Sequence, residues 1–535
     1  MFVKLSVTFD NQTFTMKKTY FLLALVFSVP MLAQAPDILW QKSIGGTATE
    51  MVYALVATDD GGCVTAGWSN SNTGLFIGNH GGYDVVIVKF DSDGDIEWQK
   101  LYGGSGNDTA KDIKKTADGG YIVVGSSNSS DGDATGNHGD NDYWIIKLAA
   151  TGDVQWQKSI GGSQDDRASR IIQTGDGGYL VSGESYSTDG DRLPLLPGIR
   201  NRWIVKLTAA GVISWHTSFW ANTGNGMVEL AQQPNGNFAV GYVSSQPIGV
   251  LVGGTETYYN NAFIKLFDAA GNELWSKNYG GSYQDNLESM APTTDGGYIV
   301  AGHSLSNDLQ VSGHHGMAGA DGASDMWVFR IDALGNLVWQ KSLGGTYTET
   351  AQGIAQTADG GYIVCGHTAS SNNGDVSGNH SLFYSDIWVV RLSSSGNLLW
   401  QKCLGGTDSE FGFAVAQASD GGFFASGWTV STDGDVTQSN GGYDGWVVKL
   451  GTDGLFSVAE NEFPTVAIVP NPVHDRFSIR NIGNAAVSII DATGKVVQTA
   501  THTGVPIDIQ GLQSGFYLIR IDTNEGSQVA KILKY

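Results

Sequence analysis

Acidic side chains recur at a fixed distance from a recurring tryptophan, and this pattern could support chemistry. The residue ten positions after Trp40, Trp98, Trp156, Trp215, Trp275, Trp339 and Trp400 is, in turn, Glu50, Asp108, Asp166, Asn225, Asp285, Glu349 and Glu410. If the repeats close around an axis, these side chains lie on one circle. Gathered carboxylates raise one another's pKa or bind a cation such as Ca²⁺. The alternative is that each carboxylate accepts local backbone N–H bonds where the chain crosses between repeats.

A second set of acidic residues lies in long polar loops. Asp131 and Asp133 form an Asp-x-Asp pair before Gly136-Asn137-His138, and related copies occur in other repeats. Such spacing can supply oxygen ligands to Ca²⁺, although the bidentate Glu of an EF-hand loop is missing. The same residue types also cap turns with their own side chains. For the histidines we expect hydrogen bonds to neighbouring loops.

The fourth repeat departs from the others, and departures from a repeat can mark a ligand contact. The candidate ligand-binding patch consists of Arg192, Arg200, Arg202, Trp220 and Asn225. Degeneration of one repeat explains the same residues equally well.

Catalysis on a polysaccharide needs an asymmetric acid and base. Here the carboxylates recur in every repeat, and the chain has no Gly-x-Ser-x-Gly nucleophile motif. We therefore predict a non-enzymatic binding module for a glycan or a surface protein. A hydrolase or lyase acting on polysaccharide from the long-loop face is the alternative, and a structural role in a surface layer also fits.

The elements that position these residues follow from the repeat of about sixty residues. In one copy, apolar runs at 109–116, 121–125, 142–148 and 154–158 are separated by Asp-Gly and Gly-Asp turns. Such pairs favour hairpins, because glycine adopts the positive φ that the turns need. Each repeat is thus a four-stranded antiparallel meander. Seven copies predict an all-β fold, a seven-bladed β-propeller over residues 36–458.

Two propeller families share parts of this pattern. The strand order and the glycine that ends each second strand resemble kelch-type propellers, and Asp268 to Trp275 is similar to the tryptophan-docking motif of quinoprotein propellers. The resemblances imply architecture only. The adjacent cysteine pair of a quinone site is absent from the sequence, so no cofactor beyond Ca²⁺ is predicted.

Two segments could supply the last strand of the ring. Ile38 to Ile44 precedes the first full repeat and keeps the tryptophan, whereas Leu455 to Val458 follows the last one. We favour the N-terminal segment, because once-per-repeat tryptophans commonly pack between blades. Closure would remove open sheet edges.

Composition limits the partners. The net charge is −23 with a pI near 4.6, and such a surface repels nucleic acid and anionic lipid. Cations, neutral glycans and basic protein patches remain open as ligands. Cys63, Cys365 and Cys403 lack metal-ligand spacing, and we expect them to be small buried side chains.

The N-terminal residues read as an export signal. Residues 16–35 contain a charged start at Lys17-Lys18, an apolar run and Ala33-Gln34-Ala35, as in a signal peptide. Residues 1–15 look like an upstream extension from a misplaced start codon. The apolar run is too short to serve as a membrane anchor, so no membrane insertion is predicted.

After a linker at residues 459–464 the repeat ends, and residues 465–535 change in character. Their motifs include Pro470, Asn471 and Pro472, then Gly494-Lys495, Gly515 with Tyr517, and the closing segment from Lys531. This segment closely resembles the type A sorting domain of the bacterial type IX secretion system. The resemblance implies a small β-sandwich, passage through the type IX machinery and later removal of the domain, leaving a released or surface-attached propeller.

Overall fold

The computed structural model describes residues 34–191, 200–221, 228–252, 255–317, 319, 322–453, 467–469, 473–480, 485–491, 495–523 and 526–534. Arg192, Asn225, Pro470, Asn471, Pro472, Gly494, most of the predicted signal peptide and the segment from Leu455 to Val458 lie outside these residues. Contacts between Cα atoms divide the chain into two compact units, one ending at Gly454 and the other starting at Leu455.

The first unit contains seven four-stranded antiparallel sheets, which we call blades 1 to 7. Blade 1 comprises Glu50–Ala57, Cys63–Ser69, Asp84–Phe90 and Ile96–Tyr102. Blade 2 comprises Asp108–Lys115, Tyr121–Ser127, Asp142–Leu148 and Val154–Ile160. Blade 3 comprises Asp166–Gln173, Tyr179–Ser185, Asn201–Leu207 and Ile213–Trp220. Blade 4 comprises Glu229–Gln232, Phe238–Val252, Thr255–Phe267 and Glu273–Tyr279. Blade 5 comprises Asp285–Pro292, Tyr298–Ser304, Asp325–Ile331 and Leu337–Leu343. Blade 6 comprises Glu349–Gln356, Tyr362–Thr368, Asp386–Leu392 and Leu398–Leu404. Blade 7 comprises Glu410–Gln417, Phe423–Thr429, Asp444–Leu450 and, from the N-terminal end, Ile38–Ile44.

The N-terminal strand completes the last blade and closes the ring, as predicted from the sequence. Ile38–Ile44 pairs antiparallel with Asp444–Leu450 of blade 7. The first strand of each blade contacts that of the next, and the first strand of blade 7 contacts that of blade 1. First-strand residues from six blades line one narrow central cavity. The fold is therefore a β-propeller, with the first strands around a central channel.

The recurring tryptophan joins each blade to the next. The glycine in the turn before each fourth strand packs on the tryptophan of the preceding blade. A Cβ atom added to Gly152 would lie 3.0 Å from the Trp98 ring, and one added to Gly211 would lie 3.1 Å from the Trp156 ring. The Trp40 indole also donates to the carbonyl of Ser92 at 2.8 Å. The expected use of tryptophan in packing between blades is thus confirmed.

The Asp-Gly-Gly turns are anchored by a base from the third strand. Gly119 has a φ of 82° in the turn of blade 2, a conformation that glycine adopts without steric cost. Lys147, which is almost fully buried, pairs with Asp118 of that turn at 2.8 Å. Equivalent pairs occur at Lys89–Asp60, Lys206–Asp176, Arg391–Asp359 and Lys449–Asp420.

The second unit is also a β structure. Its strands are Ala467–Val469, Arg476–Arg480, Ala485–Ile490, Val496–His502, Ile507–Asp508, Gly515–Thr523 and Gly526–Lys534. They form one three-stranded and one four-stranded sheet, which enclose a core that includes Phe477, Val487 and Ile519. Among the described residues, no helix has the length and apolar character needed to span a bilayer.

Candidate functional site

The six described carboxylates of the predicted ring are buried caps. Glu349, for example, accepts the N–H of Gly345 at 2.8 Å and the hydroxyl of Thr368 at 2.7 Å, and its exposed fraction is 0%. The N–H of the residue four positions earlier is donated in the same way to Glu50, Asp108, Asp166, Asp285 and Glu410. The N–H donors lie in the crossings that lead into each blade, four residues before the carboxylate, which matches the alternative of local backbone hydrogen bonds.

Burial raises the pKa of four of these carboxyl groups, those of Asp108, Asp285, Glu349 and Glu410. It raises the pKa of Glu349 to about 7 and that of Asp285 to about 6, against hydrogen bonds that act in the opposite direction. Within the described ranges, no three His, Cys, Asp or Glu side chains are arranged to hold a metal ion. The hypothesis of a Ca²⁺-binding ring therefore gains no support from this geometry.

The loop acids tie the loops to the crossings between blades. Asp131 accepts the N–H of Ser105 at 2.7 Å, and the N–H of Asp133 donates to the carbonyl of Gly103 at 2.8 Å. His138 then contacts the buried Asp142 of its own blade at 2.6 Å. The loop acids act as structural caps. The hydrogen bond expected from the histidine to a neighbouring loop is instead formed with Asp142 of the same blade, while the other ring nitrogen of His138 lies 3.9 Å from Asp191 in the loop of blade 3.

A layer of residues that differ from blade to blade surrounds one mouth of the channel, on the face of the long loops. In six blades the register of the first strand shifts at one residue, which marks a β-bulge. The bulged residues are Tyr53, Lys111, Ser169, Glu288, Gln352 and Phe413. Bulges re-aim side chains next to functional sites. We call this opening, with the side chains around it, the channel mouth.

Blades 2 to 5 give the channel mouth a charged half. A cavity of about 440 Å³ is lined by Lys111, Arg167, Glu184, Arg200 and Glu288, among others. Burial lowers the pKa of Lys111 to about 8 and raises that of Glu288 to about 7. Glu184 forms ion pairs with Arg200 and with Arg202. Two guanidinium groups therefore compensate the charge of Glu184.

Blades 1, 6 and 7 give the mouth an aromatic half. The Phe411 ring stacks on Trp428 with centroids 4.6 Å apart, and Trp68 contacts Tyr83 at 4.4 Å. Trp68, Trp428 and Phe411 are half-buried. The two halves meet where the Lys111 ammonium lies 3.4 Å from the centroid of the Tyr53 ring.

Only part of the predicted ligand patch reaches the mouth. Arg200 lines the cavity, whereas Arg202 is 1% exposed and acts as a buried partner of Glu184. Trp220 is 59% exposed at the end of an outer strand. The sequence analysis missed Lys111 and Glu288. An alignment of the first strands could have found them, because that position changes its residue type in every blade.

Comparison with known proteins identifies the C-terminal unit. Residues 467–535 match the family described as secretion system C-terminal sorting domain. This confirms the predicted type IX sorting tail, which indicates export to the cell surface or beyond. Lys495 is exposed and Tyr517 is buried in this unit, where Gly515 begins a strand and Lys531 lies in the last one.

Solved structures of other proteins resemble the chain weakly. The chain is similar to hydrazine synthase of Kuenenia stuttgartiensis, with a TM-score of 0.42 and 13% identity, over 75% of this chain and 95% of that one. It is also similar to YCF48 bound to D1 peptide, with a TM-score of 0.38 and 11% identity, over 79% and 99%. The propeller assignment rests on the repeated sheets and the closed ring of this chain.

One curated relative matches part of the chain. The regulatory protein FlaEY of Caulobacter vibrioides is 26% identical over 252 residues, which cover 43% of this chain and 25% of that protein. The chain thus spans about a quarter of the length of that relative.

Proposed function

We propose that this protein is a secreted or cell-surface binding module that recognises a glycan or a protein through the channel mouth. The observation that carries the proposal is the contrast within each blade. The caps, tryptophans and turn pairs repeat, while the bulged residue at the mouth is a different residue type in each of the six blades whose described residues contain the bulge. Scaffold requirements are the same in all blades, so the residues that differ are free to serve a ligand.

The surroundings of the carboxylates favour binding over hydrolysis. Glycoside hydrolysis by the common route uses two carboxyl groups with different roles. The capping carboxylates are buried and accept local hydrogen bonds, and Glu184 is held by two arginines. Of the two acidic residues that line the charged cavity, this leaves Glu288 as the candidate general acid or base.

Export follows the order that the two ends of the chain suggest. Residues 16–35 direct the chain across the inner membrane as a signal peptide, and the C-terminal unit engages the type IX machinery. Removal of that unit leaves the propeller released or attached to the surface. Mass spectrometry of the exported protein tests this order, because we expect mature ends near residues 35 and 465.

Binding is tested directly with the purified full-length chain on a glycan array and on extracted surface proteins. We expect one ligand class to bind, and Trp428→Ala to weaken binding at least tenfold because it removes the largest ring of the Phe411–Trp428 stack in the aromatic half of the mouth. Trp220→Ala is the matched control on the outer strand. Equal loss in both variants, or binding to no ligand, would contradict the proposal.

The same array tests calcium. Because each described carboxylate of the predicted ring already accepts at least one backbone N–H, we expect binding to persist in a calcium chelator. Loss of binding on chelation, restored by Ca²⁺, would instead support a metal at the ring or at Asp131 and Asp133.

One observation favours an enzyme as the second candidate. Lys111 and Glu288 line the same cavity, and burial brings both pKa values close to neutrality, to about 8 and about 7. Such a pair can move a proton at physiological pH. New reducing ends, or unsaturated products from a polysaccharide, lost in Glu288→Gln, would establish a hydrolase or lyase.

A further inference from the structure

We infer that the channel mouth selects an acidic saccharide, whose sugar ring packs on the aromatic half while its carboxylate or sulfate group binds at Lys111. The inference rests on the proposed function and names the ligand class of the same site. It also changes an expectation from composition, since a net charge of −23 favours cations or neutral ligands.

The charged half is locally basic. Three of the side chains that line the larger cavity are Lys111, Arg167 and Arg200, against the acids Glu184 and Glu288. Glu184 is already paired with arginine. Burial also keeps Glu288 partly protonated near neutral pH. The cavity therefore carries a net positive charge, although acidic residues predominate in the chain as a whole.

Lys111 is the centre of this charge. It lines the larger cavity and also an adjoining cavity of about 300 Å³. In the part of the chain that the structure describes, its ammonium group forms no ion pair, and besides burial the positive charges of Arg170 and Arg167 lower its pKa. A buried cation among like charges gains most from an added anion, because the surrounding low dielectric strengthens the attraction.

The adjoining cavity offers partners for sugar hydroxyl groups. Asn107, Asn128 and Thr109 line it together with Tyr83 and Arg167. The side-chain oxygens of Asn107 and Asn128 accept backbone N–H groups of Tyr83 and Asn107, at 3.2 Å and 2.6 Å. The amide nitrogens are thereby left to donate on the exposed side of each residue.

The aromatic half supplies the packing surface that a sugar ring needs. Aromatic side chains present a broad apolar face, and those of Trp and Tyr add a polar atom at the edge. Tyr53 lies directly under the Lys111 ammonium at 3.4 Å, so an anion and a stacked ring can be held side by side. A small inorganic anion would use only the charged half.

The experiment compares matched pairs of polymers with the purified full-length chain by isothermal titration. Polygalacturonate is set against its carboxyl-reduced form, and dextran sulfate against dextran, which separates carboxylate from sulfate. We expect at least one acidic polymer to bind tenfold or more tightly than its neutral counterpart. Lys111→Met should remove that preference, and Lys111→Arg should retain it.

The matched control is Lys100→Met, which removes the same charge from an outer strand, where Lys100 pairs with Asp153 at 3.0 Å. It should bind like the unaltered protein. If Lys111→Met fails to fold by circular dichroism, Arg167→Met provides the same test from a more exposed position.

Each contrary outcome has its own meaning. Equal binding of acidic and neutral polymers would overturn the acidic ligand while leaving a glycan-binding module in place. Polyglutamate binding as well as the acidic glycans would overturn saccharide selection. Absence of any glycan or protein ligand in both this test and the array would overturn the proposed function as well.

Discussion

The junctions between blades and the channel mouth are built from adjacent residues of the same strands, yet they differ in how their polar groups are used. At a junction, the Glu349 carboxylate is buried and accepts hydrogen bonds from N–H and O–H donors. Thr350 follows it in the strand, and two residues after Thr350 the bulge carries Gln352 to the mouth. The repeated position of Glu349 thus serves stability, whereas the bulged position of Gln352, three residues later, is free to vary between blades.

The largest expected effect breaks a junction. A Cβ added to Gly103 would lie 2.5 Å from Oδ1 of Asp84 and 2.8 Å from Oδ2 of Asp108. Asp84 accepts the N–H of His80 and Asp108 accepts the N–H of Gly104, both at 2.8 Å, so these carboxylates cannot move away without disturbing those hydrogen bonds. Gly103→Ala should lower the free energy of unfolding by about 2–4 kcal/mol, measured by urea denaturation.

The control for this change is Gly175→Ala in blade 3, where an added Cβ meets nothing within 4 Å. It should alter the free energy of unfolding by no more than about 0.5 kcal/mol. Similar losses in both variants would show that the junction glycine is not special.

The next effect concerns the carboxylate cap itself. Glu349→Gln places an amide N–H₂ against groups that donate to Glu349, so it should cost about 1–3 kcal/mol. Burial raises the pKa of Glu349 from 4.5 to about 7, so the folded state holds the proton more tightly. That contribution is complete below pH 4.5 and is lost as the pH rises through 7.

The difference in stability between the unaltered protein and Glu349→Gln should therefore be larger at pH 4.5 than at pH 8, by urea denaturation. The exposed Asp140, changed to Asn, serves as the control with no such trend. A difference that grows with pH would mean that the hydrogen bonds to Glu349 outweigh its burial.

A smaller effect is expected where a histidine links two blades. His380 contacts Asp386 of blade 6 at 2.6 Å and Asp435 of blade 7 at 3.7 Å. The hydrogen bond that the His380 ring donates to the Asp386 carboxylate raises the pKa of His380. Its stabilisation is therefore complete below pH 6.5 and declines as the pH rises through the raised pKa.

His380→Gln should cost about 0.5–1 kcal/mol at pH 6 and less at pH 9. His474→Gln, at a side chain 70% exposed in the C-terminal unit, should leave the propeller transition unchanged. A pH-independent loss would assign His380 a packing role instead.

The smallest effect has the opposite sign and belongs to the channel mouth. Burial, with the negative charge of Glu229 as the next cause, raises the pKa of Glu288 to about 7. The folded state therefore holds this proton more tightly, a contribution that is complete below pH 4.5 and is lost as the pH rises through 7. Glu288→Gln lacks this dependence, so it should stabilise the protein by about 1 kcal/mol or less at pH 8 and leave it unchanged at pH 4.

Thermal unfolding at the two pH values checks this. A clear loss of stability in Glu288→Gln at both pH values would place Glu288 with the junction caps, and the contrast between the two regions would fail.

The sequence by itself determined the local and periodic features. The sixty-residue period, the turn glycines and the tryptophans predicted the meander, the propeller and the N-terminal closing strand, because hydrophobic alternation and turn chemistry act over a few residues. The sorting domain was likewise readable from consecutive motifs. Even the pattern of carboxylates was visible, although its interpretation as a metal ring competed with local caps.

Only the tertiary structure decided which polar groups are occupied and which face a ligand. The donors to Glu349 come from residues 345, 368 and 370, so their saturation depends on how the two strands of the blade pair. Lys111, Glu288 and Phe413 are brought to one mouth by ring closure and by a bulge in each strand. Those distances depend on packing between blades, which residue spacing along one chain does not encode.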